Sequence, residues 1–472
     1  MQNQKLEKQL LRDLHKQDRQ AKKQYKKDLA QQNKAFVAAQ KIRKKQHKAK
    51  ELAKPLSWFR LDNAATIYPS IQDENWNFVF RVSAVLNEEV DKKVLQKAVD
   101  ETMPRFPSFN VGLKKGVFWN YFEELPKAPI VEEEQKFPCT QFNISRSKYH
   151  LVRVIYYKNR VSVEVFHAIC DGRSALKFFN SLLRHYFELL GKKLTGYDGC
   201  LDTKDRPAPE ELQDSFFENA TDEKGSKHKE QKAFKISGTP EEYGVVNSTM
   251  GIMSVSQIKE IAKKYNTGLF QFLASVLGLS IWQKNKHAKR PIKLSIPIDL
   301  RSFFPSKSLR NFSGYVNVVI PPAKDYTLEQ IIEIVKAEFS RISKENMQGF
   351  INGNIGFQKN PLIKIVPLFI KNLVVKLCYK SWGEVYQTVA VSNIGLVSAP
   401  PEFVEYVDKY EVNLGRPKYN PYSIGVISFN DKLVWTFSSK IKENVIERTF
   451  FTNLASLGAK VCIETNRRDL YV

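Results

Sequence analysis

A mixed α/β protein of two sandwich-like lobes is the fold class that the sequence predicts, and three observations carry the expectation. Strand-like and helix-like patterns occur together in both halves of the 472-residue chain. A polar stretch at 201–245, including TDEKGSKHKEQK, separates those halves and reads as a crossover linker. The chain is 42% hydrophobic, with 31 Phe and 19 Tyr, so each half can bury a core of its own. The expected division is an arm over 1–54, a first lobe over 55–200, the linker, and a second lobe over 246–472.

The arm has no Gly or Pro before Pro55 and is rich in Lys, Gln, Ala and Leu, which favours helix. Its apolar positions are too sparse for a coiled-coil seam, so a basic, partly helical arm is expected. In the first lobe, NWNFVFRVSAVL (75–86) reads as a strand. EEVDKKVLQKAVDETMPRFPSF follows as a helix that stops at Pro104, and GVFWNYFEEL (116–125) reads as a second strand. LVRVIYYKNRVSVEVFHA (151–168) alternates around Lys158-Asn159 as a hairpin. SALKFFNSLLRHYFELLG then shows i, i+3, i+4 apolar spacing closed by Gly191. In the second lobe, VSQIKEIAKKYNTGLFQFLASVLGLSIWQK gives two helices and IKLSIPIDL and GYVNVVIPP give strands. TLEQIIEIVKAEFSRIS is a helix opened by Thr327. PLIKIVPLFIKNLVVKLCYKSW (361–382) is basic and amphipathic, broken by Pro367. VYQTVAVSNIG is a strand, SIGVISFNDKLVWTFSSK a hairpin over Asn430-Asp431, and a helix starts the tail.

Composition narrows the function. The formal net charge is +24, and residues 1–54 carry half of that excess, with 17 Lys/Arg against 5 Asp/Glu. Such a chain suits an anionic partner. The five cysteines are scattered and form no CxxC, which gives neither a disulfide framework nor a zinc site. No apolar run reaches 18 residues and no signal peptide is legible, so a protein that is cytoplasmic, or alternatively peripheral at the membrane, is expected. HExxH, Walker A and GxGxxG patterns are missing, so metalloprotease, NTPase and dinucleotide readings fall away, and neither a metal nor a resident cofactor is expected.

The chemistry concentrates in VSVEVFHAICDGRSALKFF (161–179). His167 leaves a strand where a side chain can project into a cleft, and a neutral imidazole is a natural general base. Asp171 either orients His167 or locks the loop by pairing with a cation. Gly172 is expected to give the turn backbone freedom, and Ser174 is a candidate N-cap for the next helix.

FHAICDG resembles the HHxxxDG or shorter HxxxD signature of the CoA-dependent acyltransferase superfamily. That superfamily includes chloramphenicol acetyltransferase, alcohol O-acetyltransferases and the condensation domains of peptide synthetases. LDNAATIYPS, VLQKAVDETMPRFPSF and IPIDLRSFFPSKSLRNFSGYVNV resemble family segments in the same order, so the likeness spans most of 56–472. The resemblance implies two chloramphenicol-acetyltransferase-like lobes with an active-site channel between them. It makes His167 the base that deprotonates an acceptor hydroxyl or amine, and Asp171 mainly structural. Arg301 in DLRS is then the expected partner of Asp171, and Gly172 the motif glycine. Phe166 stands where the longer motif has its first histidine, and the DFGWG segment of the plant members is missing, so the CoA contacts stay unassigned.

Weaker candidates stand beside these. VSNIG (391–395) breaks an apolar strand, and Ser392 and Asn393 are candidate oxyanion donors or simply a turn. His150 and His185 lie near the motif, with His185 on the amphipathic helix and read as structural. Cys170 reads as an apolar loop residue, since no second histidine stands at a recognisable spacing. The arm is a solvated helix or an attachment to anionic membrane, and its two aromatics make nucleic acid the weaker partner. The expected function is transfer of an acyl group from acyl-CoA, as co-substrate, to an alcohol, amine or lipid acceptor, in the manner of the alcohol O-acetyltransferases. One alternative uses a thioester on a separate carrier protein. The other is a non-catalytic protein of the same fold that docks on membrane or nucleic acid through its arm.

Overall fold

The computed structural model describes residues 58–467 apart from 73–76, 136, 145–148, 224–230, 360–362, 364 and 383, together with Gln20, Lys23, Gln24 and Lys27. The expectations for the arm and for TDEKGSKHKEQK fall outside, or mostly outside, these residues.

The first lobe opens with β1 (Trp58–Arg60) and the short helix α1 (Tyr68–Ile71). β2 (Val79–Leu86) and α2 (Lys92–Thr102) follow. Asp91 caps α2 by accepting from the backbone N–H groups of Lys93 and Val94. β3 (Val111–Lys115) and β4 (Asn120–Glu124) form a small sheet with β1 in the order β1-β4-β3. β5 (Glu132–Glu133) precedes the hairpin of β6 (Val152–Tyr157) and β7 (Arg160–Phe166), and Lys158 turns it in the left-handed region at φ 50°. α3 (Gly172–Leu189) then packs beside α2 on the sheet, its apolar stripe buried.

The second lobe is built on β8 (Asn247–Ser254), β9 (Ile292–Asp299), β10 (Ser313–Ile320), β11 (Val389–Leu396), β13 (Tyr422–Phe429), β14 (Lys432–Ser439) and β15 (Cys462–Thr465), with β12 (Val407–Leu414) placed elsewhere. These seven strands run in the order β10-β9-β11-β13-β14-β8-β15. Its helices are α4 (Val255–Lys264), α5 (Leu269–Lys284), α6 (Leu328–Ser340), α7 (Lys344–Lys359), α8 (Leu368–Trp382) and α9 (Val445–Ser456). α5 is buried nearly throughout, as expected of an apolar run too short to span a bilayer. Among the described residues no helix is long and apolar enough to cross a membrane.

The sheets do not follow the sequence division. β12 leaves the second half of the chain and edges the first-lobe sheet, whose order is β12-β2-β7-β6-β5. It pairs antiparallel with β2, Val412 opposite Val82. Tyr410 on β12 donates from its hydroxyl to Asn180 Oδ1 on α3 at 2.9 Å. The two sheets meet where Gly425 on β13 faces β12. A Cβ there would lie 2.6 Å from Val412 Cγ1 and 2.8 Å from its carbonyl oxygen, so only glycine permits that approach. The fold is the expected two-lobed α/β sandwich, with the lobes interleaved through one exchanged strand.

Candidate active site

β7 ends at Phe166, and the next residue enters the gap between lobes. The His167 backbone N–H donates to the Phe78 carbonyl at 2.8 Å, which holds the chain as it leaves the strand. The imidazole is half-buried. It stacks on Tyr68 of α1 at 4.9 Å between ring centroids and meets the edge of Phe80 at 5.1 Å. These two rings fix its plane.

The second lobe determines which nitrogen carries the proton. His167 Nδ1 lies 3.1 Å from Asn311 Oδ1. The Asn311 amide nitrogen donates to Asp62 Oδ2 at 3.2 Å and to the Ala168 carbonyl at 3.5 Å. Its oxygen is therefore the atom turned to the ring, and an oxygen there accepts only from Nδ1–H. The lone pair is left on Nε2, which has no protein partner among the described residues. Asp62, fully buried, anchors this chain of bonds. It also accepts from the Ala65 N–H at 2.7 Å and lies 3.6 Å from Arg310 Nε. Burial holds the His167 pKa below its ordinary 6.5, against opposing pulls from its own backbone carbonyl, Asp171, Asn311 and Asp62. At neutral pH the ring is therefore uncharged and able to accept a proton.

Asp171 does not touch the imidazole. Its Oδ2 accepts from Arg301 Nη1 at 2.7 Å and from the Phe312 N–H at 2.9 Å, while Oδ1 accepts from the Ser174 N–H at 3.0 Å. Asp171 is thus the N-cap of α3. That corrects the reading of Ser174, whose hydroxyl instead accepts from Arg301 Nη2 at 3.1 Å. Burial alone would raise the Asp171 carboxyl, but Arg301 and the donated hydrogen bonds outweigh it and hold the pKa below the usual range. Arg301 also bonds to Asp299 Oδ1 and to the carbonyls of Ser308 and Arg310. This cluster joins the motif loop to the segment that carries Asn311.

Gly172 occupies the first turn of α3 with ordinary helical backbone, not a left-handed turn, and a Cβ would sit 3.5 Å from Ile394. Backbone freedom is therefore not what this position uses. Ser392 and Asn393 lie on β11 and are not among the residues that line His167's cavity. Asn393 is exposed and its Oδ1 accepts from the Gly395 N–H at 3.0 Å, across a bulge where Gly395 has φ 85°. That is a β-bulge within a continuous strand, so VSNIG neither breaks the strand nor forms a turn.

Cys170 is buried and its thiol is pushed well above the usual range by burial, so it makes no thiolate. His185 bonds to Glu101 at 2.7 Å and Glu188 at 3.3 Å between α2 and α3, and His150 Nε2–H donates to the Lys127 carbonyl at 2.7 Å with Asn110 Oδ1 at 3.1 Å. Among the described residues no group of three metal-ligating side chains occurs.

His167 lines a cavity of about 780 Å³ between the lobes. Tyr68 and Trp119 come from the first lobe, Ser295, Ser313 and Asn317 from β9 and β10, and α8 closes one wall. Three functional residues escaped sequence reading: Asn311, Asp62 and Tyr68. All three lie in segments that resemble family segments, but only their convergence in space gives them a role.

No family model and no curated protein matches this chain. Solved structures do. Polyketide synthase associated protein 5 from Mycobacterium tuberculosis superposes with a TM-score of 0.54 at 14% identity, covering 85% of this chain and 99% of that one. The first condensation domain of the CDA synthetase gives 0.54 at 12% identity, over 85% and 96%. TRI3 trichothecene 15-O-acetyltransferase from Fusarium sporotrichioides gives 0.52 at 10% identity, over 86% and 96%. The chain has the fold of these condensation-domain and acetyltransferase structures, over nearly the whole length of each of the three.

Proposed function

We propose that the protein is an acyltransferase that moves an acyl group from a thioester to a hydroxyl or amine, with His167 as general base. The observation that supports this most directly is the tautomer. Asn311 accepts from Nδ1–H, so Nε2 presents a lone pair to a cavity roomy enough for two substrates. In this reading Nε2 takes the acceptor's proton as its oxygen or nitrogen bonds to the thioester carbonyl carbon. The resulting tetrahedral oxyanion collapses, the carbon–sulfur bond breaks, and the thiolate leaves with the proton that His167 held. Ser295, Ser313 and Asn317, which line the cavity, are better placed to meet the oxyanion than Ser392 and Asn393.

Acyl-CoA is the donor of the primary reading, with an alcohol as acceptor. A thioester on a separate carrier protein is the second reading, favoured by the likeness to condensation domains. Thiol release from a panel of acyl-CoAs with mixed alcohols and amines tests the proposal. A folded His167→Ala variant is expected to lose about 100- to 10,000-fold in turnover. Equal turnover in variant and wild type would remove the histidine from the mechanism. Release only from carrier-bound thioesters would select the second donor.

A further inference from the structure

Surface helices normally turn apolar residues inward and polar residues to water. α8 does the reverse. Its inward side carries Lys371, buried with its ammonium bonded to the Phe118 carbonyl at 3.0 Å and lying 3.3 Å from the Trp119 ring centroid. Asn372 on the same side accepts from Ser70 of α1 at 2.7 Å. The outward side is a stripe at i, i+4 spacing that begins just before the helix: Ile365 (70% exposed), Phe369 (73%), Leu373 (59%) and Leu377 (58%). The turn between β3 and β4 extends it. Leu368 N–H donates to the Val117 carbonyl at 2.9 Å, which sets exposed Val117 and Phe118 beside the start of α8.

We propose that this face docks on the surface of a bilayer containing anionic lipid. Single exposed apolar residues are ordinary, but a contiguous set of six marks an interaction surface. Charge selects the occupant. Residues 346–383 contain five lysines and no Asp or Glu, so the segment is uniformly cationic, and Lys376 is exposed on α8 itself. Position agrees with charge. The inner side of the same helix walls the cavity that holds His167, through Leu368, Lys371 and Val375. The docked face and the catalytic cavity are thus two sides of one helix. The docking proposal stands without the acyl-transfer reading. Joined to that reading, and resting on it, the geometry makes a membrane-borne hydroxyl the natural acceptor.

The test uses the full chain and co-sedimentation with phosphatidylcholine–phosphatidylglycerol vesicles at low and high salt. High salt screens the lysines and leaves apolar insertion. Wild type is expected to stay vesicle-bound at high salt. A Phe369→Gln, Leu373→Gln, Leu377→Gln variant is expected to lose at least about tenfold in partitioning, because each removed side chain forfeits its transfer out of water. Circular dichroism and sedimentation velocity check its fold and mass. Equal binding by the variant, or wild type that remains in the supernatant, would overturn the proposal. So would a wild-type dimer in solution that the triple variant dissolves, since a second copy would then own the face. Should the triple variant lose its fold, a Leu373→Trp variant gives an independent reading. Added emission that is quenched by brominated acyl chains supports docking, and unquenched emission overturns it.

Discussion

Asn311 acts on His167 from the opposite lobe, as a positioning residue. Its carbonyl oxygen accepts the Nδ1 proton and, by doing so, raises the imidazole pKa against the downward pull of burial. Two outcomes follow at this scale. Burial wins in the intact site, so the acid limb of the pH–rate profile is expected to have its midpoint below 6.5. Above that midpoint the neutral base predominates, and turnover falls as the ring protonates below it. In Asn311→Ala the raising contribution is removed. The limb is expected to move to still lower pH while kcat drops about 10- to 100-fold, the scale typical of a lost orienting partner. A purely structural role for Asn311 would lower the melting temperature and leave the limb where it was. A pH profile of the folded variant separates the two.

Elements meet at Asp171. One carboxylate caps α3, pairs with Arg301 at the end of β9, and accepts the Phe312 N–H just before β10. Asp171→Asn keeps an oxygen for the cap but leaves Arg301 with less compensation in a buried setting. The expected loss is about 3 kcal/mol or more, read from urea unfolding at pH 7. The sign of its pH dependence is fixed by the depressed Asp171 pKa. The pair's contribution is present above the ordinary carboxylate value of 3.8 and is lost as pH falls through the lower folded value. Wild type and Asp171→Asn are therefore expected to converge in stability towards strongly acid pH. A stability gap that stayed constant with pH would mean that the variant acts through packing and not through charge.

At the scale of the whole molecule, the exchanged strand makes the lobes interdependent. β12 supplies the edge of the five-stranded sheet, and its side chains enter the first-lobe core with Tyr410 and Val412 fully buried. A fragment ending at residue 245 would lack β12 and expose the apolar β2 as an open edge. Such a fragment is expected to aggregate or elute in the void volume on size-exclusion chromatography, while the full chain does not. A soluble, monomeric fragment with native-like circular dichroism would show that β12 is dispensable to the first lobe.

Much of this architecture was legible locally. The hairpin at Lys158-Asn159, the apolar stripe of α3 ended by Gly191, the Thr327 cap of α6 and the buried α5 all follow from periodicity and turn chemistry within a few residues. β1, α1, β3, β5, β8, β12, α7 and β15 are not among the elements the sequence predicts; the alternation in VDKYEVNL is clear, but its neighbour in the sheet lies more than 300 residues away. The same divide runs through the site. HxxxDG at a strand-to-helix junction pointed to His167 and Asp171, and the resemblance pointed to Arg301, because those residues sit in readable motifs. Asn311 and Asp62 carry no motif of their own, and Ser174 is not the cap because the helix already begins at Gly172, which puts Asp171 at the capping position. The sequence by itself determined the two-lobed class, the position of the histidine and a basic surface, since composition, period and local spacing are properties of neighbours along the chain. Only the tertiary structure decided the tautomer, the exchanged strand and the outward apolar face of α8, because each depends on which distant segments are brought within hydrogen-bonding or packing distance.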